Sequence, residues 1–446
     1  MYWHVNTFVT LFFQNALATP IDTGLEESSY FQANKSLKVY RRQSYKSALR
    51  GLIHRGDVFE VYGISYRESC PSGWADVGED AYLCLGKSQA VDVEPHPLPL
   101  LLNIAPPSPE EWENYVENLT WNALEGEYFA PFTPLYHGRR TDDFGGWLYA
   151  SAEEYEEGAR PKWRLEEGRD YRFKDVISTK SGAVLERPDG KVAPLDEIAI
   201  YPVSRFSGRD MSLDPVPKGQ TPAYAINREG APIRIAPAND AMTIWSAEHR
   251  EPLNLSKEPV GDWWIVPDAL GSNKPGYIHN DNIRHWQASS PPEELSEQGI
   301  WIDVDLSQQM LAIYEGEVLQ YITLISSARE GYKTFTGLYR IYDKATAWDL
   351  GSKQNASDPY YIEQVPWVMH YYPRYAIHSA FWHDDFGHPA SHGCINMSPI
   401  DAKIVFDSVS PELPDGWRAV FQTPSEYGTL LRIRKNLEPV PRKIRN

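Results

Sequence analysis

The chain has 446 residues, of which 42% are hydrophobic and 23% charged, a balance that is typical of folded protein and argues against general disorder. Its 43 basic and 61 acidic residues give a net charge of −18, and because phosphate backbones need a basic surface, this charge argues against nucleic acid as a partner. The aromatic content of 13%, with 35 prolines and 30 glycines, favours short strands and turns over helical bundles.

Residues 1–18 have the pattern of an export signal. A short apolar run at residues 5–13 precedes Ala-Leu-Ala at residues 16–18, which fits a small-residue cleavage site. No apolar run reaches the roughly 20 residues that a membrane-spanning helix requires. The sequence therefore predicts an exported protein of the periplasm or cell envelope, with a signal peptide at residues 1–18 and no membrane span.

The chain has three cysteines, Cys70, Cys84 and Cys394. One disulfide between Cys70 and Cys84, with Cys394 as a free thiol, is the simplest arrangement for an exported protein. Closing that loop would stabilise the fold by roughly 3 kcal/mol in the chain-entropy model. Three reduced thiols in a cytosolic protein are the alternative.

Two segments, residues 30–90 and 220–288, repeat the same order of short strands. In each, a strand that contains tryptophan is followed by a turn and then by an aromatic strand. The matching runs are Gly73-Trp74-Ala75-Asp76-Val77 with Ala81-Tyr82-Leu83, and Gly261-Asp262-Trp263-Trp264-Ile265-Val266 with Gly276-Tyr277-Ile278. This pattern resembles bacterial SH3-like modules, which are small β-barrels attached to cell-wall enzymes. The resemblance implies one module in each segment, the first containing the disulfide.

The segments around these modules are less regular. Residues 91–122 are predicted to be a proline-rich linker with a short helix that begins at Ser108, and residues 289–298 a second linker. Residues 123–215 contain strand-like fragments, at 171–177 and 198–201, that fit a degenerate β module. The basic residues 425–446 are predicted to be a solvated tail.

From residue 299 the pattern becomes clearer. Apolar residues alternate with aspartate at residues 302–306, which predicts a half-buried strand. A Glu-Gly-Glu sequence at 315–317 predicts a hairpin turn. Ser398, followed by proline and then by an acid at its third position, predicts the start of a helix. Further strands are predicted at 338–342, 375–379 and 417–421. The region is therefore predicted to be mainly β with one helix.

The densest group of reactive side chains lies between residues 378 and 396. Cys394 lies within 16 residues of four histidines: His378, His383, His388 and His392. A thiol needs a nearby base or cation to become a thiolate near neutral pH, and histidine is the usual partner. Gly393 lets the backbone approach a substrate closely, and backbone N–H groups beside Cys394 would be placed to bind an oxyanion.

The residues alone leave three interpretations open. Cys394 is a nucleophile with a histidine as its base, or it binds Zn²⁺ together with two or three histidines, or it is a buried structural residue among solvated loop histidines. A single sulfur, with no pair of ligands at helical spacing, argues against the metal.

The run Ser391-His392-Gly393-Cys394-Ile395-Asn396, with His378 sixteen positions before the cysteine, closely resembles the signature of L,D-transpeptidases of the YkuD family. Residues 334–337 resemble the family's Thr-Pro-Thr-Gly turn, with Phe335 in place of the proline. Asn396 stands where many members have arginine. The resemblance covers residues 299–424 and implies a YkuD-type β-sandwich catalytic domain with one flanking helix, which requires no metal or organic cofactor.

The resemblance also implies the roles of site residues. Cys394 would attack the carbonyl between the L-centre of diaminopimelate and the terminal D-Ala of a peptidoglycan stem peptide, with His378 as the base and the Ser379 carbonyl orienting the imidazole. Backbone N–H groups of three consecutive residues would form the oxyanion hole: His392, Gly393 and Cys394. The side chains expected to bind substrate are Ser391, Asn396, Trp382, His383 and Tyr361.

The predicted function is therefore a peptidoglycan L,D-transpeptidase that releases D-Ala and transfers the acyl group to the side-chain amine of another stem, giving a 3→3 cross-link. If water takes the acyl group from the same acyl-enzyme, the protein is an L,D-carboxypeptidase. If the lysine of an envelope protein takes it, the protein anchors that envelope protein. A non-catalytic wall-binding scaffold is the third alternative, and the joint presence of Cys394 and His378 argues against it.

Overall fold

The computed structural model describes residues 29–78, 80–86, 90–93, 136–141, 145–271, 274–295, 299–352, 356–440 and 444–445. The chain divides into two compact units, one made of residues 1–49 and 54–95 and the other of residues 50–53 and 96–446. The predicted signal peptide and the predicted helix at Ser108 lie outside the described residues. The described residues are mainly β, as predicted, and none of their helices is long and apolar enough to cross a membrane.

The first unit consists of short strands in two sheets. Its strands are β1 (Ser29–Ala33), β2 (Leu37–Tyr40), the first residue of β3 (Leu49–Ile53), β4 (Val58–Val61), β5 (Gly63–Arg67), β6 (Cys70–Asp76), β7 (Tyr82–Cys84) and β8 (Ala90–Val93). One sheet has the order β4-β1-β8 and the other the order β2-β7-β6-β5. Cys70 and Cys84 form the predicted disulfide, and Trp74 packs against it. The SH3-like assignment of residues 30–90 stays a prediction.

Residues 136–210 of the second unit have a small hydrophobic cluster of their own, which includes Leu148, Phe173 and Leu185. The elements are β9 (Tyr136–Arg140), β10 (Trp147–Leu148), α1 (Ala152–Glu156), β11 (Trp163–Arg164), β12 (Arg169–Phe173), β13 (Asp175–Thr179), β14 (Gly182–Glu186), β15 (Val192–Pro194), β16 (Ile198–Ile200) and β17 (Arg209–Asp210). The strand-like fragment predicted at 171–177 spans parts of two strands. They are separated at Lys174, and β12 pairs with β9 whereas β13 pairs with β14.

Residues 220–285 form two small antiparallel sheets around one cluster of buried apolar residues. The strands are β18 (Gln220–Ala225), β19 (Ala231–Arg234), β20 (Thr243–Ala247), β21 (Pro252–Ser256), β22 (Trp263–Val266), β23 (Gly276–His279) and β24 (Ile283–His285). One sheet has the order β21-β18-β24 and the other the order β20-β19-β23-β22. Its SH3-like character also stays a prediction.

The remaining elements form a β-sandwich. They are β25 (Ile300–Asp305), β26 (Met310–Glu315), β27 (Val318–Leu324), β28 (Gly337–Arg340), β29 (Asp343–Gly351), β30 (Tyr361–Tyr372), β31 (Tyr375–Ser379), β32 (Ile395–Met397), α2 (Pro399–Ser408), β33 (Ala419–Phe421), β34 (Leu430–Arg434) and β35 (Ile444–Arg445). One sheet runs β17-β27-β26-β25-β34-β28-β35, and the other contains β33, β29, β30, β31 and β32. A single core lies between them, to which both sheets and helix α2 contribute Ile302, Tyr339, Met369, Ile377 and Phe406.

The prediction of a solvated tail at residues 425–446 is wrong. Strand β34 lies between β25 and β28 in the middle of a sheet. Its arginines are tolerated there because Arg434 donates to Asp303 at 3.0 Å and to Asp305 at 2.7 Å, and Arg432 donates to Asp303 at 2.8 Å. The prediction that β25 is half-buried is also wrong. Its Asp303 and Asp305 are fully buried, because the same guanidinium groups cover them.

Helix α2 begins as the sequence predicts and is fixed to the sandwich at both ends. The Ser398 hydroxyl accepts the Asp401 N–H at the start of the helix. The buried Asp401 carboxylate accepts hydrogen bonds from the Tyr321 hydroxyl at 2.6 Å and the Gly208 N–H at 2.8 Å. At the other end, the Lys344 ammonium donates to two backbone carbonyls that the helix leaves unpaired, at 2.7 Å each. The helix therefore gives the preceding β32 a rigid support.

Candidate active site

Two adjacent parallel strands place the predicted catalytic residues. In the pairing of β31 with β32, His378 lies opposite Asn396. Cys394 directly precedes β32, two positions before the residue opposite His378. The hairpin partner of β31 is β30, which pairs His370 with Ala376. The structure thus brings Cys394, His378 and Asn396 to one place, although the cysteine and histidine are 16 residues apart in sequence.

His378 is arranged as a neutral base. Its Nδ1–H donates to the Ser379 carbonyl at 2.8 Å, so the neutral ring has its free lone pair on Nε2. The Ser379 hydroxyl is itself held, because it donates to the Pro366 carbonyl at 3.0 Å. The imidazole is buried with the Trp382 indole 5.8 Å away, and this burial lowers the pKa of His378 to about 4. At neutral pH the ring therefore has no charge and can accept a proton.

The Cys394 thiol is half-buried and is also neutral at rest. Its sulfur donates a long hydrogen bond of 3.9 Å to the Arg374 carbonyl. Burial raises the pKa of Cys394 to about 11, although the Ala376 N–H and the charge of Arg374 lower this pKa in part. The sequence suggested a thiolate near neutral pH. The structure instead indicates a neutral thiol and a neutral imidazole, because burial disfavours the charged form of both groups.

Three tyrosines surround the thiol. Burial raises the pKa of Tyr360, Tyr371 and Tyr375, and the negative charge that Cys394 would carry raises it further. Tyr371 is 1% exposed, and its hydroxyl has no hydrogen-bond partner among the described residues. These rings exclude water from one side of the sulfur.

The loop before Cys394 is held in one conformation by its own polar groups. Gly393 has a φ of +137°, and a Cβ at this position would lie 2.7 Å from the Tyr375 ring, so the loop requires glycine. The Ser391 hydroxyl accepts the Gly393 N–H at 3.0 Å and donates to the Cys394 carbonyl at 2.6 Å. Thr334, in the predicted family turn, donates to the Gly393 carbonyl at 2.8 Å. Ser391 and Thr334 therefore shape the loop.

These bonds change the predicted oxyanion hole. The Gly393 N–H is already bound to Ser391, so it is not free to bind an oxyanion in this conformation. The N–H groups of His392 and Cys394 have no acceptor in the described part of the chain. Two of the three predicted donors thus remain available.

The His392 side chain belongs to a cluster that we call the outer rim, formed by Arg329, Asp358, Tyr360 and His392. The His392 Nε2 lies 2.9 Å from the Asp358 carboxylate and 3.0 Å from the Arg329 guanidinium, and Arg329 pairs with Asp358. The Tyr360 ring stacks on the imidazole, with centroids 4.9 Å apart. Nothing in the sequence pattern indicated Arg329 or Asp358.

Tyr361 is not brought to this site. Its hydroxyl donates to Asp349 at 2.9 Å, and the Arg169 guanidinium lies 4.8 Å from the centre of its ring. The neighbouring Tyr360, which the charge of Cys394 reaches, occupies the place that the sequence assigned to Tyr361.

A segment that we call the site loop, residues 382–387, closes the other side. His383 Nδ1 accepts the Asp385 N–H at 3.2 Å, so the neutral ring carries its proton on Nε2, which lies 2.9 Å from the Asn396 amide. The amide must then present its oxygen to His383 and turn its NH₂ group away. His383 therefore orients Asn396, opposite His378, while Trp382 packs on His378 itself.

The histidines do not converge on a common centre. Within the ranges that the structure describes, no group of three or more histidine, cysteine, aspartate or glutamate side chains is placed to hold a metal ion.

The family model of the L,D-transpeptidase catalytic domain (YkuD) matches residues 299–424, the range that carries this site. No protein with a curated description matches the chain. Among solved structures, the catalytic domain of the E. faecium L,D-transpeptidase is 22% identical, covering 31% of this chain and 98% of that one, with a TM-score of 0.25. An L,D-transpeptidase from Stackebrandtia nassauensis is 19% identical over 32% of this chain and 58% of that one, with a TM-score of 0.23. L,D-transpeptidase 3 from Mycobacterium tuberculosis, in complex with a faropenem-derived adduct, is 19% identical over 36% and 74%, with a TM-score of 0.25.

The family match confirms the predicted resemblance for residues 299–424. These residues form an L,D-transpeptidase catalytic domain of the YkuD family, and the match implies an enzyme of the L,D-transpeptidase type.

Proposed function

We propose that the protein is a peptidoglycan L,D-transpeptidase that forms 3→3 cross-links through a thioester on Cys394. The observation that best supports the proposal is the buried His378, whose Nδ1–H is fixed by the Ser379 carbonyl so that Nε2 is left as a base. Its strand is paired with the strand that directly follows the only free cysteine. Together these features supply a nucleophile, a base and a group that orients the base.

In the first half-reaction, the Cys394 sulfur attacks the carbonyl between the diaminopimelate L-centre and D-Ala as His378 Nε2 takes the thiol proton. Because the pKa of the thiol is about 11 and that of the imidazole about 4, proton transfer accompanies the attack and does not precede it. The imidazolium then protonates the D-Ala amine as the C–N bond breaks. A thioester and free D-Ala remain.

In the second half-reaction, the side-chain amine of another stem attacks the thioester. His378 accepts the proton of the amine and returns it to the sulfur, so the thiol is restored and a 3→3 amide is formed. The tetrahedral oxyanion of each step would be bound by the N–H groups of His392 and Cys394, which fixed backbone geometry keeps ready for it. No metal or organic cofactor takes part in these steps.

The site of action that follows is the cell wall outside the cytoplasmic membrane, in the periplasm or cell envelope. The disulfide between Cys70 and Cys84 fits an oxidising compartment. The SH3-like modules at 30–90 and 220–288 would then contact peptidoglycan. Because the net charge is −18, hydrogen bonds and ring stacking would have to supply their attraction to an anionic wall.

Muropeptide mass spectrometry tests the proposal. The mature protein is incubated with disaccharide-tetrapeptide, with Cys394→Ala as the control. The expected product is a dimer that has lost one D-Ala, absent with the variant. Tripeptide without a dimer would indicate an L,D-carboxypeptidase. If the substrate is unchanged and Cys394 carries no adduct, the acyl-enzyme mechanism is rejected, and the non-catalytic wall-binding scaffold becomes the better interpretation.

A further inference from the structure

We propose that residues 220–288 help to build the active site, because Arg250, supported by Arg228 and Arg284, holds the site loop in the position that fixes His378 and Asn396. Arg250 is thereby a positioning residue. The proposal rests on the proposed function, because it assigns a role in the same reaction, and it gives this segment a task beyond contacting the cell wall.

Arg250 makes the strongest of these contacts. Its guanidinium donates to the Asp384 carboxylate at 2.7 Å and also to the Asp384 backbone carbonyl. The side chain is only 9% exposed, and the guanidinium lies 5.2 Å from the centre of the Phe206 ring and 5.7 Å from that of Phe386. The Arg250 guanidinium is shielded from water between two aromatic faces, whereas the Asp384 side chain is 52% exposed, so solvent screens this pairing in part.

The backbone at Arg250 is also specialised. Its φ of +65° lies in the left-handed region, which residues other than glycine rarely adopt. The Arg250 N–H donates to the Ala225 carbonyl at 2.7 Å, so the turn between β20 and β21 is tied to strand β18. The direction in which the arginine leaves its own segment is therefore set by the fold of residues 220–288.

Arg228 adds contacts at the middle of the site loop, and Arg284 adds one at its end. Arg228 donates to the Asp384 carbonyl at 3.0 Å and pairs with the Asp385 carboxylate. Arg284 donates to the Gly387 carbonyl at 3.0 Å. The Arg228 side chain is 60% exposed, so its pairing is expected to contribute less than that of Arg250.

The site loop, which these arginines hold, contacts His378 and Asn396 directly. Beside Asp384, the His383 imidazole binds the Asn396 amide, and before it the Trp382 indole packs on the His378 ring. The end of the loop is also fixed to the catalytic sheet, where the Ser326 hydroxyl donates to the Asp385 carbonyl at 3.1 Å and the Gly387 N–H donates to the Ile325 carbonyl at 2.9 Å. At Asp384 the Ser204 hydroxyl donates to the same carboxylate as Arg250, at 2.5 Å, so Arg250 and Ser204 hold this part of the loop together.

Loss of the arginine should change the proton affinity of the base. The groups that face His378 are the Ser379 carbonyl, Trp382, His383 and His370, whose Nδ1 lies 2.6 Å from the Asp343 carboxylate. If Trp382 and His383 move, water reaches the imidazole and its pKa rises toward its ordinary value, because desolvation is the main cause of the lowering. The acid limb of the activity profile then moves to higher pH.

The test uses the full chain with three variants: Arg250→Ala, the conservative Arg250→Lys, and Arg234→Ala as a matched control. Arg234 lies in the same segment but donates only to the Ala241 carbonyl and the Thr243 hydroxyl within that segment. We expect Arg250→Ala to lower kcat by about 10-fold to 100-fold, as small displacements of catalytic groups do. The acid limb of kcat/KM should also move up by about one pH unit or more. Arg250→Lys should recover part of both effects, and Arg234→Ala should behave as the wild type.

An unchanged kcat and pH profile in Arg250→Ala would overturn the proposal, and so would equal losses in Arg250→Ala and Arg234→Ala, which would indicate general destabilisation. Hydrogen exchange separates this result from a failure of the proposed function. Even if the wild type transfers no acyl group, the amide of Asp385 should exchange faster in Arg250→Ala than in the wild type, whereas that of Gly387, which the Ile325 carbonyl accepts, serves as the internal reference. Equal exchange rates would reject the role of Arg250.

Discussion

The two sides of the Cys394 thiol are built differently. On the outer rim, Arg329 and Asp358 are 44% and 50% exposed, so water and salt screen their pairing. On the side of the site loop, His378 is 2% exposed and the Arg250 side chain 9% exposed. The difference in exposure indicates that the two sides have different roles. The rim can rearrange around a peptide, whereas the site loop fixes the base.

The largest effect is expected at the base. Because the proposed mechanism makes His378 the group that moves the proton in both half-reactions, His378→Gln should lower kcat/KM by about 10²-fold to 10⁴-fold, the usual contribution of a positioned acid–base group. The rate of dimer formation from disaccharide-tetrapeptide measures this loss. His388→Gln, a change of another histidine just beyond the site loop, serves as the control. A decrease of less than about 10-fold in His378→Gln would contradict its assignment as the base.

The next prediction concerns the thiol. With a pKa of about 11, Cys394 should be alkylated by iodoacetamide at pH 8 about 100-fold more slowly than free cysteine. The labelling rate should rise with pH up to the alkaline end of the stable range. If the labelling rate has its midpoint below pH 8, the thiolate forms before substrate binds. That result would contradict the proposal that proton transfer accompanies the attack.

Buried histidines also make stability depend on pH. The pKa of His378 is about 4 in the folded protein and near 6.5 when unfolded. The free energy of unfolding is therefore unaffected by this group above pH 6.5 and decreases as the pH falls from 6.5 toward 4, because only the unfolded state takes up the proton. Between pH 7 and pH 4.5 this loss is roughly 2 kcal/mol. Urea unfolding of wild type and His378→Gln at both pH values measures the part of this loss that is due to His378. The variant should lose less stability than the wild type, and equal losses would contradict a neutral buried imidazole.

The smallest effect is expected on the rim. Asp358→Ala removes the partner of both His392 and Arg329, but these groups are exposed. We expect KM for the tetrapeptide to change by about 2-fold to 5-fold with kcat unchanged, in line with weak surface pairs. Steady-state kinetics at low and high salt measures this change, and the difference from wild type should shrink as salt increases. A large loss of kcat would remove the distinction between the two sides.

The local features of the fold could be predicted from the sequence. The start of helix α2 at Ser398, the hairpin at 315–317 and the disulfide all depend on residues close in sequence, and the structure contains each of them. The placement of His378 and the residue that follows Cys394 on paired strands could also be predicted, because both lie in one compact motif.

The features that depend on distant partners could not be predicted. The sequence of residues 430–434 is typical of a charged tail. In the structure Asp303 and Asp305, about 130 positions earlier, neutralise its arginines. The same holds for Arg250 and Asp384, which are 134 residues apart. Nor does the sequence pattern distinguish Tyr360 from Tyr361, because only the strand geometry decides which ring faces the thiol.

A thioester on Cys394 is tested by the intact mass of the protein shortly after it is mixed with disaccharide-tetrapeptide. We expect an adduct equal to the substrate minus D-Ala, attached to Cys394 and absent in Cys394→Ala. An adduct that persists in Cys394→Ala, or cross-linking by that variant, would contradict a thioester on this cysteine.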